Sequence, residues 1–146
     1  MDQVQELFHR ILTFPLPTVA AVNGHTFGAG AMFAVAHDFR IMREDRGYYC
    51  FPEVDINIPF TPGMAALIQA KLSPQTAMTA MTTGRRYSGA DALAAGLVDG
   101  TAAESEIVSA AVDRLTPITG KDRTTLGAIK TTMFAGVSAA LHQGRS

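Results

Sequence analysis

An α/β fold is predicted by three features of the sequence. A glycine-rich turn joins an apolar strand-like run to an apolar helix, strand and helix signals alternate through the first half, and capped helices fill the second half. The elements can be justified in order. In "QVQELFHRILTF", Val4, Leu7, Phe8, Ile11 and Leu12 fall at i, i+3, i+4, i+7 and i+8, one face of an amphipathic helix that Pro15 and Pro17 end. "TVAAVN" (18–23) is a short apolar run between turn formers, as expected of a strand buried on both faces. "DFRIMRE" (38–44) and "YYCFPE" (48–53) are two further strand candidates, the second cut short by Pro52. Thr61 before Pro62 and Ser73 before Pro74 each set a capping hydroxyl ahead of a proline at the first helical position, and the second of these helices is expected to run to Gly84. "SGADALAAG" (88–96) has Ser88 as cap, Asp91 as acidic partner and Gly96 as left-handed stop. "AESEIVSAAVDRL" and "TTLGAIKTTMFAGVSAALHQ" supply two more helices. The last carries a stripe of Leu126, Ile129, Met133, Phe134, Val137 and Leu141, which suits core packing or, as the alternative, docking on a neighbouring subunit.

Composition limits what such a fold does. At 146 residues, 47% hydrophobic and 17% charged, the chain suits one domain with one core. A net charge of -1 argues against nucleic acid, because neutralising phosphates takes a clustered basic face. The nearest approach, "MREDRG" (42–47), alternates acid and base and reads as a solvated surface turn. Cys50 has no partner for an intramolecular disulfide, in keeping with a reducing, cytoplasmic setting. The opening "MDQVQELFHR" lacks the basic n-region of a secretory signal, and the closing "GRS" differs from a Ser-Lys-Leu peroxisomal address. No apolar run approaches the roughly 20 residues needed to span a membrane.

The stretch "NGHTFGAGAMFAVAHDF" (23–39) is the sharpest local signal. Its glycines read G-x-x-x-G-x-G, without the Lys-Ser/Thr of a phosphate-gripping loop and without dinucleotide spacing, and no G-x-S-x-G elbow occurs elsewhere. His25, His37 and Asp38 are the one close cluster of metal-ligand types, but helical spacing puts His25 on a different element, so no metal is expected. Cys50 reads as a small core residue, with no adjacent His or Lys to make a thiolate. Backbone chemistry is left. The N-terminus of a helix offers unpaired N–H groups and a partial positive charge, and small residues let a ligand approach them. From the residues alone, Gly28, Ala29 and Gly30 serve equally well to let a strand and a helix pack closely.

"PTVAAVNGHTFGAGAMFAVAHDFRI", then "FPEVDI", then "TTGRRYSGADALAAGLVD" together closely resemble the enoyl-CoA hydratase/isomerase, or crotonase, superfamily, in the family's order and approximate spacing over nearly the whole chain. The resemblance implies a crotonase-like ββα spiral. Residues 1–100 would form a partial core lacking the first turns, and residues 101–146 a helical region of trimerisation type, in one domain overall. It implies an acyl-CoA thioester substrate, with coenzyme A part of that substrate and no separate cofactor, and a homotrimer or dimer of trimers. The family's oxyanion donor falls on the Ala29 amide, flanked by Gly28 and Gly30. Hydratases of the family use two glutamates; here the first position is Met32 and the second is Glu53, the arrangement of members that shift a double bond, and "HDFRIMREDRG" looks especially like the Δ3,Δ2-enoyl-CoA isomerases of the plant peroxisomal branch. Phe27, Met32, Phe33, Phe60 and Met64 are candidate acyl-pocket walls, or ordinary core.

Glu53 stands among Phe51, Val54, Ile56, Ile58 and Phe60, whose bulk would push a carboxylate toward proton-shuttle basicity; without the resemblance it reads as a surface residue capping a turn. Family members are longer, so the resemblance also implies that the N-terminal third, with the second oxyanion donor, is missing. A start assigned too late, a fragment, or a short protein completed by a partner would each produce that. The expected activity is Δ3,Δ2-enoyl-CoA isomerisation, with enoyl-CoA hydration as one alternative and a non-catalytic CoA-binding or structural subunit as the other.

Overall fold

The computed structural model describes residues 2–143, so the closing "GRS" lies outside the described residues. The chain runs α1 (Asp2–Leu12), β1 (Val19–Val22), β2 (Thr26–Phe27), α2 (Ala29–Ala36), β3 (Phe39–Arg43), β4 (Tyr49–Cys50), α3 (Pro62–Lys71), α4 (Pro74–Thr83), α5 (Gly89–Ala95), β5 (Gly100–Ala102), α6 (Ile107–Leu115), α7 (Arg123–Met133) and α8 (Ala135–His142). The expected α/β class holds. Two small parallel sheets form, one ordered β1-β3-β5 and one pairing β2 with β4. Val19 lies opposite Phe39 and Thr26 opposite Tyr49, so the strands flanking α2 at its start and end bind different sheets. Tyr49 and Tyr87 exchange backbone hydrogen bonds of 2.8 and 2.9 Å, which ties β4 to the segment before α5. No helix of the described residues is long and apolar enough to cross a membrane.

α2 is apolar all round and fills the centre, with Ala31, Met32, Ala34, Val35 and Ala36 all buried. It packs against α1 and α3, and α8 closes over α3 and α1. The capping hydroxyls act as the sequence predicts: Thr61, Ser73 and Ser88 accept from the backbone N–H of Met64, Thr76 and Asp91, and Gly84 and Gly96 stop their helices in the left-handed region.

Three expectations fail. β1 is an edge strand and not one buried on both faces; Ala21 is exposed, and among the described residues no strand pairs with its outer side. The first helix turns its stripe, burying Phe8 and Leu12 but leaving Val4 and Leu7 exposed, because the Gln5 side chain goes inward to accept from the Thr61 hydroxyl at 3.0 Å. The last helix breaks at Phe134, where φ -109° and ψ 21° leave the helical region. The break divides the stripe: Phe134, Val137 and Leu141 are core, while Ile129 and Met133 on α7 face outward. β5, which the sequence reading did not recognise, completes the first sheet across residue 100.

Candidate active site

The two ends of α2 are held differently. At its start Gly28 adopts φ 56° and ψ -120°, a conformation suited to glycine, and its N–H donates to the Cys50 carbonyl at 3.1 Å. The turn is thereby fixed against β4. No side chain caps this end, and Ala29 and Gly30, both exposed, occupy positions whose N–H groups have no acceptor within a helix. At the far end the Arg40 guanidinium donates to the carbonyls of Val35 (3.2 Å), His37 (2.9 Å) and Leu97 (2.6 Å). The buried Tyr49 hydroxyl donates to the Ala31 carbonyl at 2.6 Å. The helix is pinned along its length, and its N-terminus is left bare.

Glu53 is brought to that bare end by the loop after β4. Pro52 accepts from the N–H groups of Asp55 (2.9 Å) and Ile56 (3.2 Å), and the Glu53 carbonyl accepts from Ile58 at 3.0 Å. This tight turn seats Asn57 at φ 58° and turns the Glu53 side chain inward, to 6% exposure. Gly84, at φ 67°, faces this loop, and a Cβ there would press on the end of the Asp55 side chain. Glu53 Oε1 lies 3.6 Å from the position a Cβ on Gly28 would occupy, so the carboxylate and the turn into α2 adjoin. Its Oε2 is buried and has no hydrogen-bond partner among the described residues. Burial pushes the carboxyl above the usual glutamate range, partly opposed by a hydrogen bond from its own backbone.

A cavity of about 330 Å³ opens at Glu53. Val54, Ile58, Pro59, Phe60 and Met81 give it apolar walls, Asn57 and Thr82 add polar groups, and Glu53 is its one ionisable residue among the described residues. Of the walls expected from sequence, Phe60 lines this cavity. Met32 and Met64 are buried in the core and do not line it. Phe27 is half-buried with the Arg86 guanidinium 5.4 Å over its ring. Gly30 and Phe33 line a separate groove along the free edge of β1. Met81 and Thr82 escaped the sequence reading because nothing in "PQTAMTAMTT" marks which face of α4 meets the Glu53 loop.

The other candidate groups are accounted for. Cys50 is buried, its thiol donates to the Gly84 carbonyl at 3.3 Å, and burial pushes its pKa up, which suits a core residue. His25 accepts from the Tyr48 N–H, His37 donates to the Phe33 carbonyl, and Asp38 binds Lys130, so these three share no point. Glu6, His9 and His142, between α1 and α8, have ligand atoms within 4.8 Å of one another, a grouping invisible in sequence; none of them lines the Glu53 cavity.

Known proteins share this arrangement of chain. The profile of the enoyl-CoA hydratase/isomerase family matches residues 1–146. Enoyl-CoA delta isomerase 3 of Arabidopsis thaliana is 41% identical over 96 residues, 65% of this chain and 40% of that protein. Enoyl-CoA delta isomerase 2, peroxisomal, from the same plant is 38% identical over 97 residues, 66% of this chain and 40% of that protein. The crystal structure of human mitochondrial delta3-delta2-enoyl-CoA isomerase shares the fold, with a TM-score of 0.91 at 23% identity over 99% of this chain and 56% of that one. The chain thus spans 40% of the length of these plant relatives.

Proposed function

The chain belongs to the enoyl-CoA hydratase/isomerase family, and from that premise we propose that its protein is a Δ3,Δ2-enoyl-CoA isomerase in which Glu53 moves the proton. One observation carries the reading. A buried carboxylate with an unbonded oxygen is the sole ionisable group of an apolar cavity, and it adjoins the uncapped start of α2.

Isomerisation needs one base and one place for negative charge. Glu53, raised in proton affinity by burial, takes a proton from C2 of a 3-enoyl thioester. The electrons move onto the thioester oxygen as a dienolate, which the Ala29 N–H at the positive end of α2 receives; such a donor is worth about 3 to 4 kcal/mol in a dry site. The protonated Glu53 then returns the proton at C4, giving the conjugated 2-enoyl thioester. Hydration would need a second acid to orient and split water. Met32 occupies that position of the pattern, and the cavity holds no second carboxylate. The acyl chain would lie along Phe60, Ile58 and Met81, the product would feed fatty acid β-oxidation, and a homotrimer is part of the same proposal.

The test is to mix the protein with a 3-enoyl-CoA in ¹⁸O-labelled water and follow conjugated thioester absorbance. Formation of unlabelled 2-enoyl-CoA that stops in Glu53→Gln supports the proposal. Label appearing in a 3-hydroxyacyl product would instead make it a hydratase, and unchanged turnover in Glu53→Gln would remove Glu53 from the mechanism. Sedimentation at three chain masses checks the trimer.

A further inference from the structure

A second cavity, of about 390 Å³, lies away from Glu53, at the C-terminal end of α2. Its size falls within the roughly 300 to 1,000 Å³ of small-molecule sites. Phe39, Ile118, Leu126, Ile129, Met133 and Phe134 make it apolar, and three lysines reach it. They differ in what they bind. Lys130 is buried and paired, donating to Asp38 at 2.5 Å and to the Leu16 carbonyl at 2.8 Å. Lys121 is exposed. Lys71, the last residue of α3, is half-buried with its Nζ 5.3 Å over the Phe134 ring, and has no hydrogen bond or ion pair among the described residues.

We infer that Lys71 is a site of covalent acylation, its amine accepting an acyl group from a thioester whose chain lies in this cavity. The unprotonated Nζ attacks the thioester carbonyl, a C–N bond forms, the C–S bond breaks, and the amine's proton leaves with the thiolate as free thiol. No oxidant or further reagent is needed. An amide has no charge to desolvate, so the product fits the apolar wall better than the ammonium it replaces. The supply of acyl thioester at this protein rests on the proposed function, although the reaction at Lys71 does not use Glu53.

The surroundings favour the reactive form. Desolvation is the chief effect on Lys71; Arg40 and Lys130 also oppose its charge, Asp38 and Asp99 support it, and the result is pushed down to about 8. A tenth or so of the amine is then unprotonated at pH 7, against less than about one in a thousand for an ordinary lysine. Lys121, at the same cavity but exposed, is the internal control.

The experiment incubates the whole protein with octanoyl-CoA or acetyl-CoA from pH 6.5 to 10 and reads acylation at each lysine by peptide mass spectrometry. Lys71 should acylate at least ~10-fold faster than Lys121 at pH 7.5, with octanoyl-CoA preferred, and its rate should level off above about pH 8. Lys71→Arg should lose this increment and keep 3-enoyl-CoA turnover. Glu53→Gln should acylate at the wild-type rate, so a failure of the isomerase reading would show as absent turnover with Lys71 still modified. Equal rates at Lys71 and Lys121, or no preference for the longer chain, would overturn the inference.

Discussion

At the C-terminal end of α2 the charges of Lys130, Asp38 and Arg40 are matched, the half-buried Lys71 being the exception. Lys130 meets Asp38, Asp38 also accepts from the Thr18 N–H at 2.9 Å, and Arg40 is spread over three carbonyls. At the N-terminal end Glu53, equally withdrawn from water, has an oxygen with no partner. Both ends belong to one eight-residue helix, so the difference lies in the partners supplied. A matched buried charge has its desolvation offset and holds elements in place, whereas an unmatched carboxylate holds its proton more tightly and is poised to exchange it. The comparison teaches that burial alone does not single out a candidate site in this fold; burial without a partner, next to a cavity, is what singles out Glu53.

The largest expected effect separates the two ends by activity. Glu53→Gln should lower kcat/KM for 3-enoyl-CoA isomerisation by about 10² to 10⁴-fold, the range of a positioned acid–base group, while thermal unfolding near neutral pH stays at or above the wild-type temperature. A loss of stability comparable to the loss of rate would mean that Glu53 is a structural residue like Asp38, and the contrast would be gone. Next, Lys130→Met removes one member of the matched pair and strands Asp38. It should cost about 3 to 5 kcal/mol in denaturant unfolding, with isomerase turnover per folded molecule near wild type. A third, smaller effect sharpens the N-terminal end. Gly28→Ala finds room for its methyl 3.6 Å from Glu53 Oε1 but must hold a positive φ, so the backbone should strain by about 1 to 3 kcal/mol and the Ala29 N–H should tilt. Turnover should fall more than stability; the reverse order would remove the Ala29 amide from the proposed chemistry.

How much of this was legible in sequence follows the range of the interactions. The caps at Thr61, Ser73 and Ser88 and the stops at Gly84 and Gly96 were readable because each is settled within a few residues. The turn at Gly28 was readable as a place needing small residues. Glu53 drew attention through the resemblance carried by "FPEVDI", since its neighbours alone left it a surface residue capping a turn, and the missing partner of its Oε2 depends on the fold around it. The matched end was not legible at all, since Lys130 and Asp38 are 92 residues apart and nothing local in "AIKTTM" says that its lysine turns inward. The entry of Met81 and Thr82 into the cavity is likewise decided by the packing of distant elements, and the exposed edge of β1 and the break at Phe134 leave no local mark in the sequence. Local rules located the caps and turns, the resemblance named the candidate residues, and long-range packing determined their electrostatics.

The smallest effect, and the most direct test of the contrast, is in the pH dependence of stability. Glu53 holds its proton more tightly folded than unfolded, so between its unfolded and folded pKa values the native state binds more protons and stability falls as pH rises. The slope from this group cannot exceed about 1.4 kcal/mol per pH unit, and it vanishes once the folded carboxyl has ionised. Glu53→Gln lacks this contribution. Unfolding free energies of the two proteins from pH 4 to 8 should therefore converge at the acid end, where both side chains are neutral, and diverge in favour of the variant as pH rises above the ordinary glutamate range. Isomerase turnover should climb over that same interval, because the ionised carboxylate that weakens the fold is the base of the proposed reaction. Parallel stability curves would mean that water or a partner already satisfies Glu53, and the unmatched end of α2 would then differ from the matched end in name only.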